Sequence, residues 1–184
     1  MSGTRRYVVA VAGPSGSGKS ALVQRLVAVL GDACALHMRE YDEMAPALLA
    51  DLRALKDGQS VVAPAGTRIA ARKYIIFETP FGRAHATGAL IDLLIWLDVP
   101  LEIPLAWKLR DLVAEALRDE RPHAARERLA GLDAYLAHYL ALGRRQLVLQ
   151  VEQARSQADV ILEGSGALEP LVERAREQVL RCLA

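Results

Sequence analysis

Residues Gly13-Pro14-Ser15-Gly16-Ser17-Gly18-Lys19-Ser20 satisfy the pattern GxxxxGK[ST] at every fixed position. They lie between a continuous β-prone run, Tyr7 to Ala12, and a stretch from Lys19 to Leu30. In that stretch Leu22, Val23, Leu26, Val27 and Leu30 recur at helical spacing. This arrangement restricts the fold severely. A strand that is apolar at every position has to be covered on both faces. Glycines between its end and a helix start permit turns whose backbone N–H groups point inward. The helix N-terminus adds its own partial positive charge. The product is a cradle for phosphate oxygens, built from Gly13, Ser15, Gly16, Ser17, Gly18, Lys19, Ser20 and Ala21. Within it Lys19 is placed to reach β- and γ-phosphates, and the Ser20 hydroxyl to hold Mg²⁺.

The rest of the chain is consistent with a sheet built around that strand. Of its 184 residues 52% are hydrophobic and 24% charged, which argues for a packed core and against disorder. A second strand is expected at Cys34–Met38, a third at Tyr74–Phe77, a fourth at Leu93–Leu97 and a late one at Val160–Leu162. Asp42 suits the N-cap of a helix running to about Lys56, with Leu48, Leu49, Leu52 and Leu55 facing inward. Ser60 to Arg72 reads mostly as loop. Pro100 to Gln157 reads as helical, broken near Arg121-Pro122 and at Gly143, and a final helix ends near Cys182. Strands alternating with helices predict an α/β three-layer sandwich around a parallel sheet of about five strands, in one domain over residues 1–184.

Charge and cysteine usage narrow the partners. With 23 basic and 22 acidic residues the net charge is +1, which gives no electrostatic case for nucleic acid or an anionic membrane. Cys34 and Cys182 lie far apart without metal-ligand spacing, so neither zinc nor a disulfide framework is expected, and the reducing cytoplasm is the expected compartment. No uncharged apolar run approaches the roughly 18–20 residues that span a bilayer. Arg5-Arg6 ahead of an apolar run has the outline of a signal peptide. That run is short and enters the glycine loop directly, so it is expected to be a buried strand.

A phosphate loop that holds Mg²⁺ needs an acid nearby, typically after another buried strand. Glu78 follows the third strand and Asp98 the fourth. Glu78 is the stronger candidate, because Thr79-Pro80 ends its strand sharply and Asp98 suits a turn or helix cap. His37 and His85 have no evident partner in sequence and are expected to be ordinary packed or exposed histidines.

Taken in order, these features resemble the uridine kinase/phosphoribulokinase-like branch of the P-loop kinases. The resembling residues are the GPSGSGKS loop, Asp51 to Gly58, Val61-Val-Ala-Pro64, Ile75-Ile-Phe-Glu78, Trp96-Leu-Asp98, Lys108-Leu-Arg110-Asp111 and Ala158 to Leu162. The resemblance implies transfer of the ATP γ-phosphoryl group to a hydroxyl of a nucleoside-like, sugar or vitamin-type molecule, with ATP and Mg²⁺ as cofactors. It implies a helical lid over roughly residues 104–130 bearing a phosphate-gripping arginine. Arg110 is the first choice for that role, beside Lys108, Arg118 and Arg121. It leaves room for a homodimer. The implied catalytic set is Lys19, Asp42, Glu78 and Arg110, with Ser20 and Glu78 on the metal.

The chain also departs from that pattern. Family members carry an acid after the second strand to accept the acceptor's proton. Here Arg39 falls at that place, so Glu40 or Asp42 must substitute. A Tyr-Asp pair that helps hold a nucleoside is replaced by Ala65-Gly66-Thr67, which argues against uridine as acceptor. Gly82-Arg83 follows the third strand without counterpart, and Arg83 is expected either to contact the acceptor or a phosphate on it, or to be a solvent-facing loop arginine. With the base position altered, a nucleotide-binding module or slow ATPase that has lost acceptor phosphorylation is the alternative function.

Overall fold

The structure is a computed structural model that describes residues 5–41, 46–118, 121 and 123–183, without the side chains of residues 124 and 150. Strand β1 (Tyr7–Ala12) lies at its centre, and helix α1 (Lys19–Leu30) follows the glycine loop. Next come β2 (Ala33–His37), α2 (Pro46–Lys56), the two-residue strands β3 (Val61–Val62) and β4 (Arg68–Ile69), and β5 (Tyr74–Glu78). Strand β6 (Leu93–Asp98) leads into α3 (Glu102–Arg118), α4 (Ala124–His138) and α5 (Arg144–Ser156). Strand β7 (Val160–Glu163) and helix α6 (Leu168–Cys182) complete the order.

Five strands form one parallel sheet in the order β2-β5-β1-β6-β7. The alternation of β1 sorts its side chains to two faces. Val8, Ala10 and Ala12 join Leu36, Phe77 and Trp96 under Leu48, Leu52 and Leu55 of α2. Val9 and Val11 pack with Leu22, Val23 and Leu26 of α1 and with Leu171, Val172, Ala175 and Val179 of α6. Both faces of the sheet are thus covered, as a strand of unbroken apolar sequence requires. This is the expected α/β layering.

Register then decides which chemistry meets. His37 of β2 lies opposite Glu78 of β5, and Glu78 opposite Val11 of β1. The carboxyl ends of three neighbouring strands therefore reach the glycine loop together, at the edge where open α/β sheets bind ligands.

The stretch 60–72 is mostly loop, as expected, and carries a small antiparallel hairpin, with Val61 opposite Ile69 and Val62 opposite Arg68. Strands of two residues are too short to show a period in sequence. One expectation is corrected. Gly143 does not break the helical region. It closes a π-helical turn over Tyr139–Gly143 at φ −61°, ψ −44°, and α4 runs through it into α5. Glycine tolerates a turn without enforcing one. No helix among the described residues is long and apolar enough to cross a membrane.

Candidate functional site

The glycine loop turns where the sequence allows it. Gly16 and Gly18 sit at φ +79° and +88°, a left-handed region that side chains rarely adopt, and Gly18 starts α1 from that conformation. Ser17 N–H donates to Pro14 O at 3.1 Å and closes the bend. Lys19 is folded back into the loop, with Nζ donating to Gly13 O at 3.0 Å and Pro14 O at 2.8 Å. Only 7% of Lys19 is exposed. Burial lowers its pKa to about 8, against the opposing pull of the Glu78 charge. An ammonium held there by neutral carbonyls gains strongly from an arriving anion.

Beside the loop, Ser20 Oγ donates to Glu78 Oε1 at 2.8 Å, and His37 Nδ1 lies 2.5 Å from Glu78 Oε2. Arg39 Nη1 donates to Ser20 Oγ at 3.0 Å. Burial opposes ionisation of Glu78, but the His37 and Ser20 hydrogen bonds and the charges of His37 and Arg39 outweigh it. Its carboxyl is held below the usual glutamate range. A cleft of about 320 Å³ opens over these groups, lined by Ser15, Gly16, Lys19, Ser20, Met38, Arg39, Glu78 and Pro80.

The donor set matches a magnesium nucleotide. Ser17 Oγ is buried with no hydrogen-bond partner among the described residues, although Ser17 does not line the cleft. Glu78 and Ser20 are adjacent hard oxygen donors of the kind that hold Mg²⁺ alongside phosphates.

Other expected site residues fall elsewhere. Asp98 accepts from Trp96 Nε1 and Arg155 Nε, both at 3.1 Å, and the Arg155 hydrogen bonds hold its carboxyl below the usual range. It is committed to fastening α5 to the sheet, which leaves Glu78 as the acid on Ser20. Arg83 is corrected outright. Its guanidinium donates to Gln157 O at 2.8 Å and Asp159 Oδ2 at 2.7 Å, and that same oxygen accepts from Leu94 N. It clamps the entry to β7 and does not line the cleft over the glycine loop. His85 caps a short 3₁₀ turn by accepting from Thr87 N. Asp42 lies outside the described residues. Glu40 is half-buried in the 3₁₀ turn Met38–Glu40 and does not line the cleft.

On α3, Arg110 projects outward with 76% of its side chain exposed, its Nη2 3.9 Å from Asp111 Oδ1. Lys108, two residues earlier, is the α3 cation that the structure brings to the loop. It lines a second cleft of about 290 Å³ with Ser15, Gly16, Pro104, Tyr135 and Tyr139.

Sequence reasoning missed His37 and Arg39. The partnership of His37 with Glu78 was readable only from the strand order: β2 beside β5 in parallel places the last residue of each side by side.

The phosphate loop at the end of the central strand and the β2-β5-β1-β6-β7 order give this chain the α/β fold of P-loop kinases. No family model and no curated protein matches the sequence. Solved structures do match. Shikimate kinase from Acinetobacter baumannii, in complex with shikimate, superposes with a TM-score of 0.56 at 15% identity, over 97% of this chain and 95% of that one. The protein APE1195 superposes with a TM-score of 0.53 at 16% identity, over 97% of both chains. A possible uridine kinase from Bacillus stearothermophilus gives 0.48 at 16% identity, over 89% and 91%. The likeness to the first two is one of fold.

Proposed function

We propose that this chain is an ATP-dependent kinase that phosphorylates a hydroxyl of a small acceptor. One observation carries the reading: Ser20 and Glu78, 58 residues apart in sequence, meet at 2.8 Å beside a buried lysine of about pKa 8 in a complete phosphate loop. When bound, ATP and Mg²⁺ supply the phosphoryl group and neutralise its charge. The loop N–H groups and Lys19 hold the phosphates, with Lys19 exchanging two carbonyls for phosphate oxygens. Ser20 and Glu78 provide oxygen donors for the cation. His37 fixes the second Glu78 oxygen, so that Oε1 stays aimed at Ser20. Phosphoryl transfer asks mainly for positioning and charge stabilisation, so these groups supply most of what the reaction needs. Asp42 is assigned the acceptor's proton; Glu40, which does not line the cleft, takes that part only if the turn Met38–Glu40 moves on closing. We assign closure over the transferring group to α3, which begins the helical lid and presents Lys108 to the loop. Arg110 reaches phosphate only if that helix rotates on closing.

A second reading, a nucleotide-binding module without acceptor chemistry, has one observation in its favour. Among the described residues the only carboxylate lining the cleft is Glu78, and both of its oxygens are engaged. Lys19→Ala tests the kinase mechanism. It is expected to cut ATP-dependent turnover of an identified acceptor at least a hundred-fold, and unchanged turnover would sink the assignment.

A further inference from the structure

Among the described residues, the charge left to face an incoming acceptor is positive. Among the described residues three charged side chains line the 320 Å³ cleft: Lys19, Arg39 and Glu78. Lys19 is turned into the loop carbonyls and Glu78 is closed off by Ser20 and His37. Arg39 remains, exposed on the 3₁₀ turn that follows β2. It also lines a neighbouring cleft of about 480 Å³ with Ser20, Ala21, Gln24 and His37, so its side chain stands between the two openings. Among the described residues its one hydrogen bond is the 3.0 Å contact to Ser20 Oγ. A guanidinium has five N–H donors in a rigid plane, so most of its donor capacity is directed elsewhere.

Resting on the kinase reading above, we propose that Arg39 selects an acceptor that is itself an anion, a small alcohol bearing a carboxylate or phosphate close to the hydroxyl that is phosphorylated. The fork of Arg39 takes the oxyanion in two places, as it does for carboxylates and phosphates generally. This turns the free hydroxyl toward the phosphate loop a few ångströms away. A neutral sugar or nucleoside entering the same cleft gives Arg39 no partner and leaves it on Ser20. The residue that replaces the expected acid after β2 thus does the work of recognition, whichever group accepts the proton.

The test fills the phosphate loop first. The full chain, saturated with a non-hydrolysable ATP analogue and Mg²⁺, is titrated calorimetrically with glycerate against glycerol and with ribose 5-phosphate against ribose. At least one anion is expected to bind ten-fold or more tightly than its neutral counterpart. Arg39→Ala is expected to remove that preference and Arg39→Lys to remove part of it, with any loss of analogue affinity smaller than the loss of anion affinity. Equal binding within each pair, or a preference that survives in Arg39→Ala, overturns the proposal. So does a loss of analogue affinity that matches the loss of anion affinity, because that outcome assigns Arg39 to the nucleotide. Failure of the wild-type chain to bind the analogue removes the kinase reading, and this inference with it. Comparing the carboxylate with the phosphate then shows which oxyanion the site prefers.

Discussion

The strand-end site and the helical arm of α3, α4 and α5 meet at the phosphate loop but are held in opposite ways. The site rests on strands whose apolar side chains are almost all fully buried, with Val11, Phe77, Ile95 and Leu97 at zero exposure. Of the arm, only Pro104 of α3 and Ala154 of α5 are buried among the described side chains. Leu117, Leu129 and Leu140 are 82%, 61% and 77% exposed. The site is thus fixed in place by the core, whereas the arm keeps its form by helical propensity and a few contacts. The kinase reading proposed above calls for such a division, with charge-stabilising groups preset and a cover that opens for exchange.

The sharpest way to break this comparison is to cut a large apolar side chain back to alanine in each region. Phe77→Ala beneath the site is expected to cost about 3–5 kcal/mol of stability in denaturant unfolding. Leu117→Ala on the arm should stay within about 0.5 kcal/mol. Similar losses at the two positions would show that the arm is packed as firmly as the sheet.

A finer comparison sets two strand-end acids side by side. Glu78→Gln is expected to weaken the Mg²⁺ stimulation of nucleotide binding about ten-fold or more. Asp98→Asn should leave that stimulation intact and loosen only the Arg155 contact, worth about 1 kcal/mol or less at its exposure. Equal effects would erase the distinction between them.

The smallest effect comes from Lys19. With a pKa of about 8 in the nucleotide-free chain it is mostly neutral at pH 9. Phosphate anions favour its protonated form, so ADP binding is expected to draw up nearly one proton at pH 9 and almost none at pH 7. Affinity should be flat below about pH 8 and fall roughly five-fold from pH 8 to 9. Buffer-dependent calorimetry measures the uptake, and Lys19→Met should abolish it. The stability effect has the opposite direction. Burying the ammonium costs the fold below pH 8, and that cost fades as pH rises from about 8 toward 10.5, where the unfolded chain still holds the proton.

The contrast between regions also explains what could be read from sequence. The phosphate loop is eight consecutive residues whose function is local, and the buried strands around it carry unbroken apolar runs, so loop, layers and parallel sheet were all legible. Ser20 with Glu78 was within reach, because an acid after a neighbouring strand is a stated need of such loops. His37 beside Glu78 depends on β2 lying next to β5, a fact of strand order that no spacing along the chain encodes. Arg83 with Asp159, 76 residues apart, is hidden for the same reason. Arg39 was visible only as a misfit, and its contact with Ser20 gives that misfit a place in the site. On the arm, weak patterning left Gly143 reading as a break that the chain does not make.

The measurement closest to the central claim is ADP release from ATP and Mg²⁺, followed with and without a panel of hydroxyl acceptors. The account predicts slow release alone, stimulation by an anionic alcohol, and loss of the stimulated rate in Lys19→Ala. Release at one unchanging rate with every acceptor, or a stimulated rate that persists without Lys19, would contradict it.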